Sequence, residues 1–250
     1  MMVSDFHQVR LTMTQKQPHH SIADNYQQVL ASIRSQEDRF HRPADSVHLL
    51  TVSKTHDADK VRQAYVAGAR DFGENYVQEA LDKITALAQS PQPLNDATWH
   101  FIGPIQSNKT RDIAGEFAWV HSVDRLKIAQ RLNDQRPDNL PPLNVCVQVN
   151  LSNEDSKSGV PLDAAESLCA NIAAMPRLQL RGLMAIPAPC AEHEQQRKAF
   201  QPLHAAFKEL QQRHPTMDTL SIGMSNDFAA AIAEGSTMIR VGTAIFGARS

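Results

Sequence analysis

His48-Leu49-Leu50-Thr51-Val52-Ser53-Lys54 is an apolar, β-branched run that stops abruptly at a lysine. A short continuous run of this kind suits a strand buried on both faces, as in a parallel sheet covered by helices. Lys54 then stands at the exit of a buried strand, and Thr55 leads into a helix-like segment. An amine at such a position has two possible roles. It snorkels to solvent on its long stem, or it faces a pocket where desolvation favours the neutral form that attacks aldehydes to give Schiff bases. For this stretch alone, the first is the simpler account.

Upstream, residues 1–20 form a loose tail without helical or strand period, and Pro18 lies within it. A helix follows, with Ile22, Tyr26, Val29, Leu30 and Ile33 on one face. Downstream the chain alternates. Strand 47–53 precedes a helix opening near Asp57, and strand 69–73 precedes one carrying Val77, Ala80, Leu81, Ile84 and Leu87. Strand 98–102 precedes a helix capped by Ser107 with Ile113 and Phe117 inward, and strand 118–122 precedes one bearing Leu126, Ala129 and Leu132. Strands 143–149 and 178–186 precede helices 162–174 and 192–213; strand 218–222, a short helix 226–234 and strand 238–241 complete the series.

Eight strand–helix units match a parallel (β/α)8 TIM barrel with an extra N-terminal helix. A doubly wound open sheet usually has fewer strands and often a glycine-rich turn after the first, which Lys54-Thr55-His56 is not. No linker or shift in composition divides the chain, so residues 21–250 are expected to form one domain.

The bulk figures exclude several classes. With 42% hydrophobic and 21% charged residues the balance is that of a globular protein, and a net charge of −2 gives no electrostatic footprint for nucleic acid or an anionic membrane. No apolar run reaches membrane-spanning length, and the N-terminus lacks the apolar core of a secretory signal. Cys146, Cys169 and Cys190 are scattered without paired spacing, which argues against disulfides and zinc and for a reducing cytoplasm.

In a TIM barrel the site lies at the C-terminal ends of the strands. Those ends collect Lys54, Glu74-Asn75, His100 to Gly103, Ser122, Asn150, Ser225-Asn226 and Gly242-Thr243. Such barrels often hold phosphate with the loops after strands seven and eight. Ser225 at a helix start and Gly242-Thr243 supply hydroxyls and close backbone approach in those two loops. Taken singly, Ser225 is an N-cap and Gly242 a turn glycine; together they favour a phosphate site. Arg240, within strand eight, needs an acceptor and is expected to face the pocket mouth with a ligand or carboxylate partner, the alternative being an outward guanidinium paired with a helix. A lysine and a phosphate cradle at opposite ends of one pocket suit an aldehyde carrying a phosphate, which describes pyridoxal phosphate.

Val52-Ser53-Lys54-Thr55, Phe72 to Glu79, Trp99 to Gly103, Gln106 to Lys109, Ser156 to Gly159, Arg181 to Met184, Ser221 to Asn226 and Gly235 to Arg249 resemble the pyridoxal phosphate homeostasis proteins. The resemblance runs from about Tyr26 to Arg249. It implies a fold-type III barrel like the N-terminal domain of alanine racemases, with the cofactor held as a Schiff base on Lys54. The implied cofactor-binding set is Lys54, Asn75, His100, Ser225, Asn226, Arg240, Gly242 and Thr243, with the phosphate at Ser225, Gly242 and Thr243, the pyridine nitrogen toward Arg240, and Asn75 and His100 around the ring and its mouth. His56 stands where the family commonly has lysine and Asn226 where it has aspartate, which removes a positive and a negative charge near the pocket.

The family implies a carrier or regulator affecting amino- and keto-acid balance, with no catalytic or metal-binding residue. Apo pyridoxal phosphate-dependent enzymes are the expected recipients, and a monomer is expected. The alternative is a racemase of the same fold, which needs an acid/base on each face of the substrate's α-carbon. Related racemases take the second group, a tyrosine, from a C-terminal β-domain, expected here to be absent. Tyr26, Tyr65 and Tyr76 all read as helix residues. Lys157, in the polar loop after strand five, is a candidate for phosphate contact or cofactor handover, with a solvated loop lysine as the plainer account.

Overall fold

The computed structural model describes residues 21–152 and 158–247. The tail 1–20 and Lys157 lie outside the described residues. Helix α1 (Ile22–Arg39) comes first, opened by a capping box in which Ser21 and Asp24 bond each other's backbone amides. The barrel follows as β1 (His48–Val52), α2 (Ala58–Val66), β2 (Asp71–Glu74), α3 (Val77–Ala88), β3 (Thr98–Phe101), α4 (Thr110–Glu116), β4 (Trp119–Val123) and α5 (Leu126–Gln135). Its second half is β5 (Leu143–Val149), α6 (Ala165–Ala173), β6 (Leu178–Ala185), α7 (His193–Arg213), β7 (Thr219–Ser221), α8 (Phe228–Ala233), β8 (Met238–Val241) and the single turn α9 (Thr243–Phe246).

Each strand pairs in parallel with the next, and β8 closes on β1 with Leu50 opposite Arg240. The ring explains the strand composition. Val145, Cys146, Val147, Gln148 and Val149 are all buried because β5 has helices outside and barrel interior inside. Helix α7 keeps its register through Pro202, which breaks one backbone bond, because Phe200, Leu203, Phe207 and Leu210 all bury on one side.

Some local expectations are corrected. Ser107 caps nothing: it sits in a 3-10 turn, where its carbonyl accepts from the Thr110 hydroxyl. On α5 the buried stripe is Ile128, Ala129 and Leu132, and Leu126 is exposed. The polar stretch after Ile33 stays helical to Arg39 because one carboxylate turns inward. Glu37 accepts from the Val47 amide at 2.7 Å and pairs with Arg34 at 2.8 Å, which fixes the entry to β1.

Candidate functional site

A cavity of about 870 Å³ opens at the C-terminal ends of the strands. Val52 and Lys54 approach it from β1, Asn75 from β2, Arg240, Gly242 and Thr243 from β8, and Met224 to Asp227 from the loop after β7. The loop after β6, with Ile186 and Cys190, forms the remaining wall. Every expected site residue except His100 lines this cavity.

The turn that carries Lys54 is held from behind by buried charge. The Lys83 ammonium donates to the Ser53 carbonyl at 2.8 Å, Glu74 Oε1 at 2.6 Å and Glu79 Oε1 at 2.8 Å. Ser53 Oγ donates to Glu74 Oε1 at 2.6 Å, and the Thr55 amide donates to Glu79 at 2.5 Å. Thr55 has φ +65, a left-handed conformation that costs a β-branched residue energy and persists only where its surroundings enforce it. Burial pushes the Glu74 carboxyl up, and Lys83 and Ser53 draw it partly back.

Asn75 leaves β2 against Gly103, where a Cβ would fall 2.1 Å from the Asn75 carbonyl oxygen, so only glycine allows this approach. The Asn75 side-chain oxygen is buried and has no protein partner. Beyond β7, Gly223 at φ +97 turns the chain into the Met224–Asp227 segment. There Asp227 Oδ1 accepts the Met224 amide at 2.5 Å, and Gln196 donates to the carbonyls of Cys190 (2.7 Å) and Asn226 (3.2 Å). Ser225 therefore lies in a turn, and α8 begins only at Phe228: the expected helix start at Ser225 is corrected. Burial raises the Asp227 carboxyl above the usual range. At β8, a Cβ on Gly242 would come within 2.8 Å of the Val52 carbonyl oxygen. The first amides of α9 have no acceptor inside that turn.

Arg240 forms the floor and is 4% exposed. Its Nη1 donates to the Ser221 carbonyl (2.5 Å) and Oγ (2.8 Å), and its Nη2 to the Ala185 carbonyl (3.0 Å). Among the described residues no carboxylate reaches it at ion-pair distance, and two of its five N–H donors have no protein acceptor. Burial lowers its pKa to about 10, against the opposing pull of Asp227.

His100 is a correction. It lies fully buried in the barrel interior, where Nε2 meets Asp71 Oδ1 and Nδ1 meets His121 Nε2, both at 3.0 Å. At the middle of β3 its ring packs inward, below the cavity. His56, where the family commonly has lysine, stacks on Phe246 at 4.9 Å and does not line the cavity; burial, then Lys60 and Lys83, lower its pKa. Asn226 lines the cavity, with the Asp227 carboxylate beside it. The sequence alone gives no role to Asp227, Gln196 or His121, and it does not join Glu74 and Glu79 to Lys83. Alternation marked Glu74 and His121 as charged or polar residues in apolar strands, the signal that would have found them.

The alanine racemase N-terminal domain model matches residues 25–250. A pyridoxal phosphate homeostasis protein of Escherichia coli is 53% identical over 91% of this chain and 97% of its own. Another from Pseudomonas aeruginosa is 56% identical over 92% of this chain and 96% of its own. The chain belongs to the pyridoxal phosphate homeostasis protein family. Among solved structures, PipY of Synechococcus elongatus with pyridoxal phosphate bound superposes with a TM-score of 0.77 at 38% identity, over 91% of this chain and all (100%) of that one. Alanine racemase from Corynebacterium glutamicum superposes with a TM-score of 0.65 at 16% identity, over 91% of this chain and 60% of that one, a likeness of fold alone. In this homeostasis-family barrel, then, Lys54 and the loops after β7 and β8 converge on one cavity.

Proposed function

We propose that the protein binds pyridoxal 5′-phosphate and serves its homeostasis as a non-catalytic carrier or regulator, through one barrel domain spanning residues 21–250. The observation that carries this is the pairing, across one cavity, of the strand-end Lys54 with Ser225, Gly242 and Thr243. Lys54 would hold the aldehyde carbon as a Schiff base. Ser225, Gly242, Thr243 and the adjacent Asn226 would take the phosphate, the two undedicated N–H groups of Arg240 the ring nitrogen, and Asn75 a polar ring substituent. The bound group supplies a reactive aldehyde and an electron-accepting ring. The unpartnered Asn75 oxygen and the buried, carboxylate-free Arg240 fit a ligand of this kind. Relatives named for homeostasis and the PipY complex with pyridoxal phosphate support the same assignment.

The wall offers little for racemisation. Tyr26 is buried in α1, Tyr65 bonds Asp96 and Tyr76 is exposed, so none of the three tyrosines lines the cavity. Asp227 is engaged by the Met224 amide. Recipient enzymes with empty cofactor sites, the cytoplasm as the working compartment and a monomeric state complete the proposal; no described helix is long and apolar enough to cross a membrane.

Borohydride reduction of the cofactor-loaded protein followed by peptide mass spectrometry is expected to place the pyridoxyl group on Lys54. Labelling of another lysine would overturn the assignment. Amino acids incubated with the loaded protein in heavy water are expected to keep their α-protons and their configuration; exchange or inversion would establish catalysis instead.

A further inference from the structure

Behind Arg240 the barrel interior holds an unbroken line of polar side chains. Arg240 Nη1 donates to Ser221 Oγ at 2.8 Å, and that oxygen lies 2.9 Å from His121 Nδ1. His121 Nε2 lies 3.0 Å from His100 Nδ1, and His100 Nε2 lies 3.0 Å from Asp71 Oδ1. Ser221, His121 and His100 are fully buried, whereas the Asp71 side chain is 38% exposed. Asp71 is the first residue of β2, at the N-terminal rim, and Arg240 faces the cavity at the other end. The line crosses the core from rim to pocket floor.

Donor and acceptor chemistry leaves one arrangement of protons. A guanidinium only donates and a carboxylate only accepts. Asp71 therefore requires the His100 proton on Nε2, so a neutral His100 accepts at Nδ1 from His121 Nε2–H. A neutral His121 then accepts at Nδ1 from the Ser221 hydroxyl, whose oxygen is already accepting from Arg240. Burial keeps both rings neutral: it outweighs the upward pull of Asp71 on His100, and on His121 it acts together with His100 and Arg240. Every donor points the same way, from cation to anion, the arrangement in which hydrogen bonds polarise one another. Trp119 stacks on His100 with 5.4 Å between centroids and 10° between planes, which fixes the ring.

We propose that Ser221, His121, His100 and Asp71 are positioning residues that orient Arg240 as a donor and couple the Asp71 carboxylate on the far rim to the charge felt by a cofactor on the pocket floor. This rests on the pyridoxal phosphate assignment above. The other nearby charges are Asp227, which acts on Arg240 from the pocket side, Arg181 and Asp218, which act on the neighbouring Cys146, and Arg70 and Arg34, which act with Asp71 on Tyr26. Among the described residues none of these hydrogen-bonds to a member of the line.

A negative charge at the end of the line favours the protonated, cationic Schiff base. Asp71→Asn is therefore expected to lower the pH midpoint of the visible absorbance of the bound cofactor by about half a unit, the scale of one remote, partly screened charge. Ser221→Ala cuts the line next to Arg240, and in that background Asp71→Asn is expected to shift the midpoint by less than a third as much. No shift in the wild-type background, or equal shifts in both, would overturn the coupling; equal shifts would mean a field acting through space. Nitrogen-15 spectra of the cofactor-free protein provide a readout independent of the cofactor and of any variant that fails to fold. Both histidines are expected as neutral Nε2–H tautomers, and an Nδ1–H tautomer or a charged ring at either position would overturn the proton order. A wild-type protein with no visible band would refute cofactor attachment, and the tautomer spectra would still decide on the line.

Discussion

Lys83→Met is expected to be among the most damaging conservative changes in this barrel. The ammonium it removes is 6% exposed and satisfies three acceptors, of which Glu74 is fully buried. Methionine retains most of the volume, so the loss is electrostatic. Glu74 would keep only the Ser53 hydroxyl, and breaking a buried pair by removing one partner costs about 3–5 kcal/mol. At about 2–4 °C per kcal/mol for a chain of this size, the melting temperature should fall by roughly 6–20 °C. The stranded carboxyl should also impose a pH dependence. Burial already raises Glu74, and losing Lys83 raises it further, so the folded state binds its proton more tightly than the unfolded chain. Stability then falls as pH rises above the unfolded value, about 4.3, and the deficit should be larger at pH 8 than at pH 5. Urea denaturation of wild type, Lys83→Met and Lys83→Met/Glu74→Gln at both pH values tests this. The double variant should recover much of the loss and most of the pH dependence. A single variant costing under about 1 kcal/mol, or a double variant no better than the single, would refute the account of a buried ion cluster.

Gly103→Ala should abolish well-folded protein or cost several kcal/mol, because its Cβ would collide with the Asn75 backbone at 2.1 Å; recovery of wild-type melting would count against that geometry. Glu37→Gln should cost about 2 kcal/mol at pH 7 through weakened bonds to the Val47 amide and Arg34. Burial alone would raise Glu37, but Arg34 and the Val47 amide hold it low, so its contribution is present above the unfolded pKa and lost as pH falls through the folded one. The penalty, measured by denaturation, should therefore shrink toward pH 3. Iodoacetamide should alkylate Cys190 in the native protein and spare Cys146 and Cys169, both buried, the latter with its thiol pushed up to about 12; native labelling of Cys146 would show that the β5 interior opens.

The ring was legible in the sequence because strands such as β1 and β5 are buried on both faces for most of their length and read as mainly apolar runs; β5 and β8 begin and end where their residues predict. The cavity was legible for the same reason. Once β8 is placed, Arg240, Gly242 and Thr243 can only stand at its pocket end. His100 misled because period two gives the face of a side chain but not its depth, and β3 is one of four residues whose third points to the core. Its true partners, Asp71 and His121, come from the two neighbouring strands, and Ser221, which meets His121 in turn, comes from β7 and joins them only once the barrel has closed. The pairing of Glu74 with Lys83 escaped for a related reason: nine residues apart on a strand and a helix, they resemble unrelated charges until α3 folds back over β2.

The pairing of β1 with β8 has a kinetic meaning. Lys54 follows the first strand, while Ser225, Gly242 and Thr243 follow the last two, so the halves of the cavity are 171 to 189 residues apart along the chain and adjacent across a single seam. Contacts of such long range form late, after loop-closure entropy has been met. An intermediate with an open ring would carry the lysine and no cradle. Whatever binds in the cavity bridges that seam, and by mass action it would favour the closed ring over every partly assembled one.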